Sequence, residues 1–237
     1  RFGKGGRIKN KMIMVTSSSP SDGKTMITST LGLILSQMGY KVLILDTDMR
    51  RPNIHKVFGL KRESGLTDIL MGEISPDSCP KTATDLMLEA VSVDKIMDNP
   101  WLNNLNIITV GSTFPDTVTL FNSDKMNETL DYLKNKYDVV LVDASPILAV
   151  SEPSIIASRM DEILVVFKVG TTSRLVLRST KNQIESAKGK GALSGVIINN
   201  ATPEVGRYGY YYYRKYKYYH KEEKSQDIRK GKTNEHV

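Results

Sequence analysis

The sequence predicts an α/β fold, a doubly wound and mainly parallel sheet flanked by helices. Three observations carry that expectation. Short apolar, β-branched runs recur without polar alternation, as in strands buried on both faces of a parallel sheet. Helix-like stretches separate these runs. The first run also leads into a Gly-Lys-Thr turn that opens a helix, and doubly wound sheets take their ligands outside the carboxyl ends of their strands.

The elements follow in order. Residues 12–16 form the first predicted strand and residues 24–38 the first helix, with Gly39 placed to end it. Strands are expected at 41–46 and 105–109. Between 60 and 104 the sequence is poorly periodic and reads as loops and short helices over one sheet edge. Helices at 125–136, 153–159 and 173–188 alternate with strands at 138–143, 162–167 and 193–198. From about Thr202 the pattern dissolves. The chain therefore divides into a domain over residues 1–203 and a flexible, basic, tyrosine-rich tail over residues 204–237.

The turn after the first strand reads Ser17-Ser18-Ser19-Pro20-Ser21-Asp22-Gly23-Lys24-Thr25. In a P-loop, successive backbone N–H groups and the positive helix N-terminus surround phosphates, a lysine adds a point charge, and Ser or Thr holds Mg²⁺. Here Ser18 stands where the usual first glycine falls. Two acidic strand ends support the match: Val42-Leu43-Ile44-Leu45-Asp46-Thr47-Asp48-Met49-Arg50 and Val139-Val140-Leu141-Val142-Asp143. An acid at such an end faces the P-loop and can hold Mg²⁺ directly or through water. The fold is thus expected to be a P-loop NTPase fold binding ATP and Mg²⁺.

The predicted nucleotide cradle is Ser19, Pro20, Ser21, Asp22, Gly23, Lys24, Thr25 and Met26. Lys24 is assigned to the β/γ-phosphates and Thr25 to Mg²⁺, with Asp48 and Asp143 in the metal's outer environment. Asp46 is assigned the acceptor's proton. Arg50 and Arg51 either steady phosphates or pair with nearby acids.

Bulk properties narrow the classes. The single cysteine, Cys79, excludes an intrachain disulfide framework and fits a reducing compartment. No run of about 18 apolar residues suits a membrane span. The first residue is Arg1, so a membrane segment upstream stays open. The net charge of +7 is concentrated at the ends: five cations precede residue 12, and beyond residue 203 nine Lys and Arg meet five acids. Such ends either favour an anionic surface or are simply solvated.

Tyr208, Tyr210, Tyr211, Tyr212, Tyr213, Tyr216, Tyr218 and Tyr219 crowd the tail without helix or strand periodicity. Taken alone they read as a sticky low-complexity tail, a base-stacking or membrane-interface segment, or a set of phosphoacceptors. Beside a phosphate site, phosphoacceptors are the preferred reading.

The combination resembles the bacterial tyrosine kinases of capsule and exopolysaccharide biosynthesis. The matching segments are the Walker A-like, Walker A′-like and Walker B-like motifs quoted above, the Arg51-Pro52-Asn53-Ile54-His55-Lys56 and Gly65-Leu66-Thr67-Asp68 stretches, and the tyrosine cluster. The resemblance implies Mg-ATP-dependent autophosphorylation of the tail tyrosines, between subunits of a homo-oligomer. It also implies a membrane polysaccharide co-polymerase as activator, a cognate phosphotyrosine phosphatase, and a place at the cytoplasmic face of the bacterial plasma membrane. No nucleic acid is expected. Asn199 reads either as an adenine contact, the role of its counterpart in related P-loop ATPases, or as a polar turn residue. Two departures stand out: Ser21 where the family often has glycine, and Ala144-Ser145-Pro146 where it commonly has Thr-Pro-Pro. The family's ring-forming Glu/Arg helix would lie ahead of Arg1, outside this sequence, so ring assembly is carried over to no residue here.

Two rivals remain. Partition or septum-positioning ATPases of the same branch usually carry a second lysine at the position of Ser19 and rarely end in tyrosines. A non-catalytic, nucleotide-dependent scaffold would use the basic ends alone.

Overall fold

A computed structural model describes residues 8–82, 85, 100–170 and 172–201. The chain divides after Asn199, and of the second unit only Asn200 and Ala201 are described. The tail tyrosines, Tyr208 to Tyr219, lie outside the described residues.

Six strands form one parallel sheet: β1 (Lys11–Ser17), β2 (Val42–Asp46), β3 (Leu105–Ile108), β4 (Val139–Asp143), β5 (Glu162–Lys168) and β6 (Leu193–Asn199). Their order is β3-β2-β4-β1-β5-β6. Seven helices accompany them among the described residues: α1 (Lys24–Gln37), α2 (Ile54–Phe58), α3 (Leu66–Leu70), α4 (Thr117–Asn122), α5 (Asp124–Lys136), α6 (Glu152–Ala157) and α7 (Arg174–Lys188). All six expected strands are present, and the four expected helices are α1, α5, α6 and α7. The helices α2, α3 and α4 escaped the periodicity because five or six residues barely complete one helical repeat.

Alternate side chains of the central strands fill two cores, one on each sheet face. Leu43, Leu45, Val140 and Val142 pack with Leu66 and Ile69 of α3, Phe121 of α4, Met126, Leu130 and Leu133 of α5, and Ile184 of α7. Val42, Ile44, Val139 and Leu141 face the other way, beneath Leu31 and Leu35 of α1. This double burial explains why β2 and β4 are apolar at every position before their terminal aspartates. β6 departs from the expectation of burial on both faces. It is one of the two edge strands, and Val196 and Ile198 are exposed, whereas at the other edge β3 is bridged by Lys81 and largely buried.

Helix ends follow local chemistry. Ser123 and Ser173 accept hydrogen bonds from the N–H groups of Met126 and Val176 at the starts of α5 and α7. Gly39 has φ +83° just past α1, as its position predicts. Within α1, Gly32 lets the helix lie close on β2, since a Cβ there would stand 2.6 Å from Ile44 Cδ1.

α3 is docked by polar contacts. Thr67 Oγ1 lies 3.0 Å from the Val110 carbonyl oxygen and 2.8 Å from that of Ser112, and the N–H groups of Gly65 and Ser112 donate to Asp68. A Cβ on Gly65 would strike the backbone of Thr109 and Gly111, which cannot rotate away. Gly65→Ala is therefore expected to destabilise the protein by about 1–3 kcal/mol, the usual scale of overpacking. Chemical denaturation measures it, and an unchanged midpoint would contradict this packing.

Candidate active site

Parallel pairing brings the site together. Strand β4 lies between β2 and β1, so Asp143 stands level with Asp46 on one side and Val15 on the other. The carboxyl ends of β1, β4 and β2 thus place the phosphate loop, Asp143 and the Asp46–Asp48 turn at one rim.

The loop is shaped by its own polar groups. Ser17 Oγ donates to the Ser19 carbonyl at 2.7 Å, and the Ser19 N–H donates to Asp22 Oδ2 at 3.0 Å. Ser18 is buried, and its hydroxyl accepts from Thr180 of α7 at 3.0 Å. Asn199, at the end of β6, donates from its amide to the Asp22 carbonyl at 2.9 Å. Gly23 has φ +97° and lies against the Asn199 amide, where a Cβ would clash. Ser21 has φ +67°, a conformation that suits glycine. The serine departure noted in the sequence therefore keeps the glycine backbone shape.

Lys24, the first residue of α1, is buried and its ammonium sits 2.6 Å from Asp48 Oδ2 and 3.8 Å from Asp143 Oδ2. Asp48 also accepts from Ser145 Oγ at 2.7 Å and from the Arg51 N–H at 3.0 Å. Thr25 Oγ1 donates to Asp143 Oδ2 at 2.7 Å, and Thr28 Oγ1 lies 3.3 Å from Asp143 Oδ1. Asp46 is fully buried and accepts from the N–H groups of Asp48 and Ile54, at 3.0 and 3.3 Å.

The electrostatics follow from this crowding. Burial lowers the Lys24 pKa, but the charges of Asp143 and Asp48 outweigh it and hold the ammonium firmly protonated. Burial raises Asp48, yet the Lys24 charge and the bonds from Lys24, Ser145 and Arg51 bring it below the usual carboxylate range. Asp143 is pushed up to about 6, first by burial and then by the Asp48 charge, against the pull of Lys24 and Thr25. Burial and the Asp143 charge drive Asp46 well above its ordinary value.

Three buried carboxyls around one lysine leave the cluster short of positive charge, which a divalent cation beside Thr25 would supply. Among the described residues no three His, Cys, Asp or Glu side chains form a cage for an ion. A cation here needs phosphate and water oxygens as well, the habit of Mg²⁺ rather than of an all-protein site.

A cleft of about 640 Å³ opens in front of the cluster. Of the sequence-predicted residues, Pro20, Ser21, Gly23, Lys24, Thr25, Met26, Asp48 and Arg50 line it. Ser19, Asp22, Asn199, Asp46 and Asp143 do not; they brace the loop or lie beneath it. Arg50 pairs with Glu152 at 3.2 Å. Glu152 and Ser145 escaped the sequence reading. Glu152 carries only the signal of an acid in a helix's first turn, and Ser145 only that of an unusual residue after Asp143.

Residues 10–190 match the AAA domain family. The chain belongs to that AAA domain family. Within it, the resemblance to the catalytic domains of bacterial tyrosine kinases holds. The chain is 31% identical over 200 residues to a putative tyrosine-protein kinase in the cps region of Klebsiella pneumoniae, covering 84% of this chain and 25% of that protein. It is 29% identical to the tyrosine-protein kinase YwqD of Bacillus subtilis, over 85% of this chain and 77% of that one. The kinase domain of the Escherichia coli tyrosine kinase ETK superposes with a TM-score of 0.68 at 26% identity, covering 81% of this chain and 70% of that one. This AAA domain thus spans about a quarter of the length of the Klebsiella relative. A likeness to the cell-division protein MinD of Aquifex aeolicus, at 23% identity and a TM-score of 0.60, shows the fold alone. The P-loop fold implies nucleotide binding.

Two predictions follow from the geometry. Ser21→Gly removes a side chain from a left-handed backbone and is expected to raise stability by about 1 kcal/mol; a lowered thermal midpoint would contradict the strain. Asp143→Asn tests the raised carboxyl. Above pH 6 the folded, metal-free protein must keep this buried group ionised, whereas below pH 6 the group takes up a proton. The substitution should therefore stabilise the metal-free protein at pH 8 by about 1–3 kcal/mol, and the gain should shrink as pH falls through 6. Urea denaturation at pH 5 and pH 8 checks the sign, and a gain independent of pH would contradict the assignment.

Proposed function

We propose that this chain is an ATP-dependent protein-tyrosine kinase that phosphorylates the tyrosines of its own tail, between subunits. The observation that carries the reading is the Lys24–Asp48–Asp143 cluster at the floor of an open cleft, with Thr25 bonded to Asp143. The relatives named as tyrosine-protein kinases support it.

The chain's own residues set the chemistry. Phosphoryl transfer demands positioning and charge neutralisation more than covalent help. Lys24 exchanges its partner Asp48 for the β/γ-phosphates of ATP, while the loop N–H groups and the start of α1 face the same oxygens. Thr25, with Asp48 and Asp143 around it, would hold Mg²⁺, which neutralises phosphate charge when bound. Asn199 flanks the loop where adenine would emerge. The acceptor phenol oxygen attacks the γ-phosphorus and ADP leaves. Asp46, assigned the phenol proton from the sequence, is buried behind the cleft wall, so the proton reaches it only by relay through water in the cleft. Arg50, tied to Glu152, stands at the cleft wall to steady the transferred phosphoryl group.

The acceptors are assigned to Tyr208, Tyr210 to Tyr213, Tyr216, Tyr218 and Tyr219. At the level of the whole protein the reading includes a membrane polysaccharide co-polymerase as activator, a cognate phosphatase, and control of capsular or extracellular polysaccharide polymerisation and export at the cytoplasmic face of the membrane. No helix among the described residues is long and apolar enough to cross a membrane.

The second reading is a partition-type ATPase, favoured by the fold shared with MinD. Ser19 in place of that group's usual second lysine weighs against it. Intact-mass spectrometry with phosphosite mapping after incubation with Mg-ATP and an activator segment separates them. Successive single-phosphate steps on the tail are expected, reduced at least ~100-fold in Lys24→Met, which loses the ammonium that would contact the phosphates in the transition state. ATP hydrolysis without phosphotyrosine would turn the assignment to the ATPase.

A further inference from the structure

The lining of the cleft has a buried part and an exposed part. Lys24, Asp48 and Ser145 are buried. Arg51, Lys56, Val57 and Ala149 belong to its exposed outer end, and Pro146 and Val150 line the same cleft. Arg51 and Lys56 are exposed, and neither side chain makes an ion pair among the described residues. Their neighbour Arg50, by contrast, is committed to Glu152. Among the described residues Asp48 is the one carboxylate lining the cleft, and it is already occupied by Lys24, Ser145 and the Arg51 N–H. The outer end therefore combines apolar side chains with two cations that make no ion pair among the described residues.

That chemistry discriminates. A tyrosine ring meets the apolar side chains but leaves both cations idle. The tail around the tyrosines is itself rich in Lys and Arg, which the rim repels. A phosphorylated ring satisfies both parts, with its face on the apolar side chains and its phosphate on the guanidinium and ammonium. Each phosphate also adds about −1.5 to −2 charges and so reverses the local sign of the tail.

We infer that the outer end of the cleft binds phosphotyrosine, with Arg51 and Lys56 as its phosphate partners. This rests on the kinase reading for the source of the ligand, a tail already phosphorylated once. A tail so held stays at the cleft while nucleotide exchanges at the phosphate loop, and several phosphates accumulate on one chain before release.

The test uses the whole chain, dephosphorylated and saturated with Mg-ADP so that the phosphate loop is filled. Two synthetic peptides spanning residues 206–221 are titrated by fluorescence anisotropy, one unmodified and one carrying a single phosphate on Tyr212. The phosphopeptide is expected to bind at least ~10-fold more tightly, the scale of one charge-assisted hydrogen bond, and to lose that preference as salt rises. The doubly substituted R51S/K56S protein, whose changes lie at exposed positions, should bind the two peptides alike, and R51K/K56R should restore the preference. Equal affinities in the unsubstituted protein, a preference that survives R51S/K56S, or a preference seen only when Mg-ADP is left out would each overturn the inference. Phosphotyrosine formation with Mg-ATP is measured separately. Its absence overturns the kinase reading, while the peptide preference still decides the rim.

Discussion

Two carboxylates held side by side in the core constrain everything else at this site, because like charges cannot share a low-dielectric interior without help. The register of β2 against β4 sets Asp46 level with Asp143, and both are fully buried. Apolar strands on either face make that placement unavoidable: once Val42 to Leu45 and Val139 to Val142 fill two cores, the aspartates that end them must emerge at the same rim. The cost appears as proton affinity, with both carboxyls shifted upward. Lys24 reduces this cost but does not remove it, since one cation faces three acids. A folded protein keeps such an arrangement where the unbalanced charge has a use.

The contacts that relieve the strain are also those a ligand would replace. Lys24 rests on Asp48 and Thr25 rests on Asp143, so both groups expected to meet phosphate and metal are held in place by internal partners. Neither is left dangling in a cleft, where an unpaired buried ammonium would be expensive. Ser145 and the Arg51 N–H fix the Asp48 carboxylate independently of Lys24, so its orientation does not depend on the lysine. The loop has a separate frame of its own: Asp22 binds the Ser19 N–H and Asn199 binds the Asp22 carbonyl. Exchange of partners can therefore proceed without remaking the backbone.

The strands were legible because burial on both faces leaves no room for polar alternation, and their continuous apolar runs end in aspartates that can be aligned by eye. The same logic failed at β6, whose composition resembles the others but whose edge position exposes Val196 and Ile198. The short helices α2, α3 and α4 carry too little periodicity to register, and α3 is fixed by Thr67 and Asp68 bonding to a loop over forty residues away. Lys24, Thr25, Asp48 and Asp143 could be named from their motifs, since a loop and two strand ends determine their position. Ser145 and Glu152 could not. Their roles arise from partners about a hundred residues distant, Asp48 and Arg50, and nothing local distinguishes them from a turn serine and a helix-start acid. Asp46 shows the intermediate case: the motif locates it, while its depth behind the cleft wall and its backbone partners emerge only from the fold.

Charge is layered from the floor of the cleft to its mouth, and the layers sort ligands by sign. The floor is acidic through Asp46, Asp48 and Asp143, so it favours a cation. Lys24 and the loop N–H groups above it favour phosphates. Arg51 and Lys56 at the mouth favour a further anion. Lys24 and the loop N–H groups are the groups that would meet phosphates, and a metal would sit beside the carboxylates, since phosphate set on buried carboxylates would be repelled. The layering also gives the two ends of the cleft different tolerance to salt. The floor is buried and its pairs are barely screened, whereas the exposed rim lies within reach of counterions at physiological ionic strength. Anions held at the floor and at the rim would thus respond to salt differently in one cleft, which a single uniform patch of positive charge would not permit.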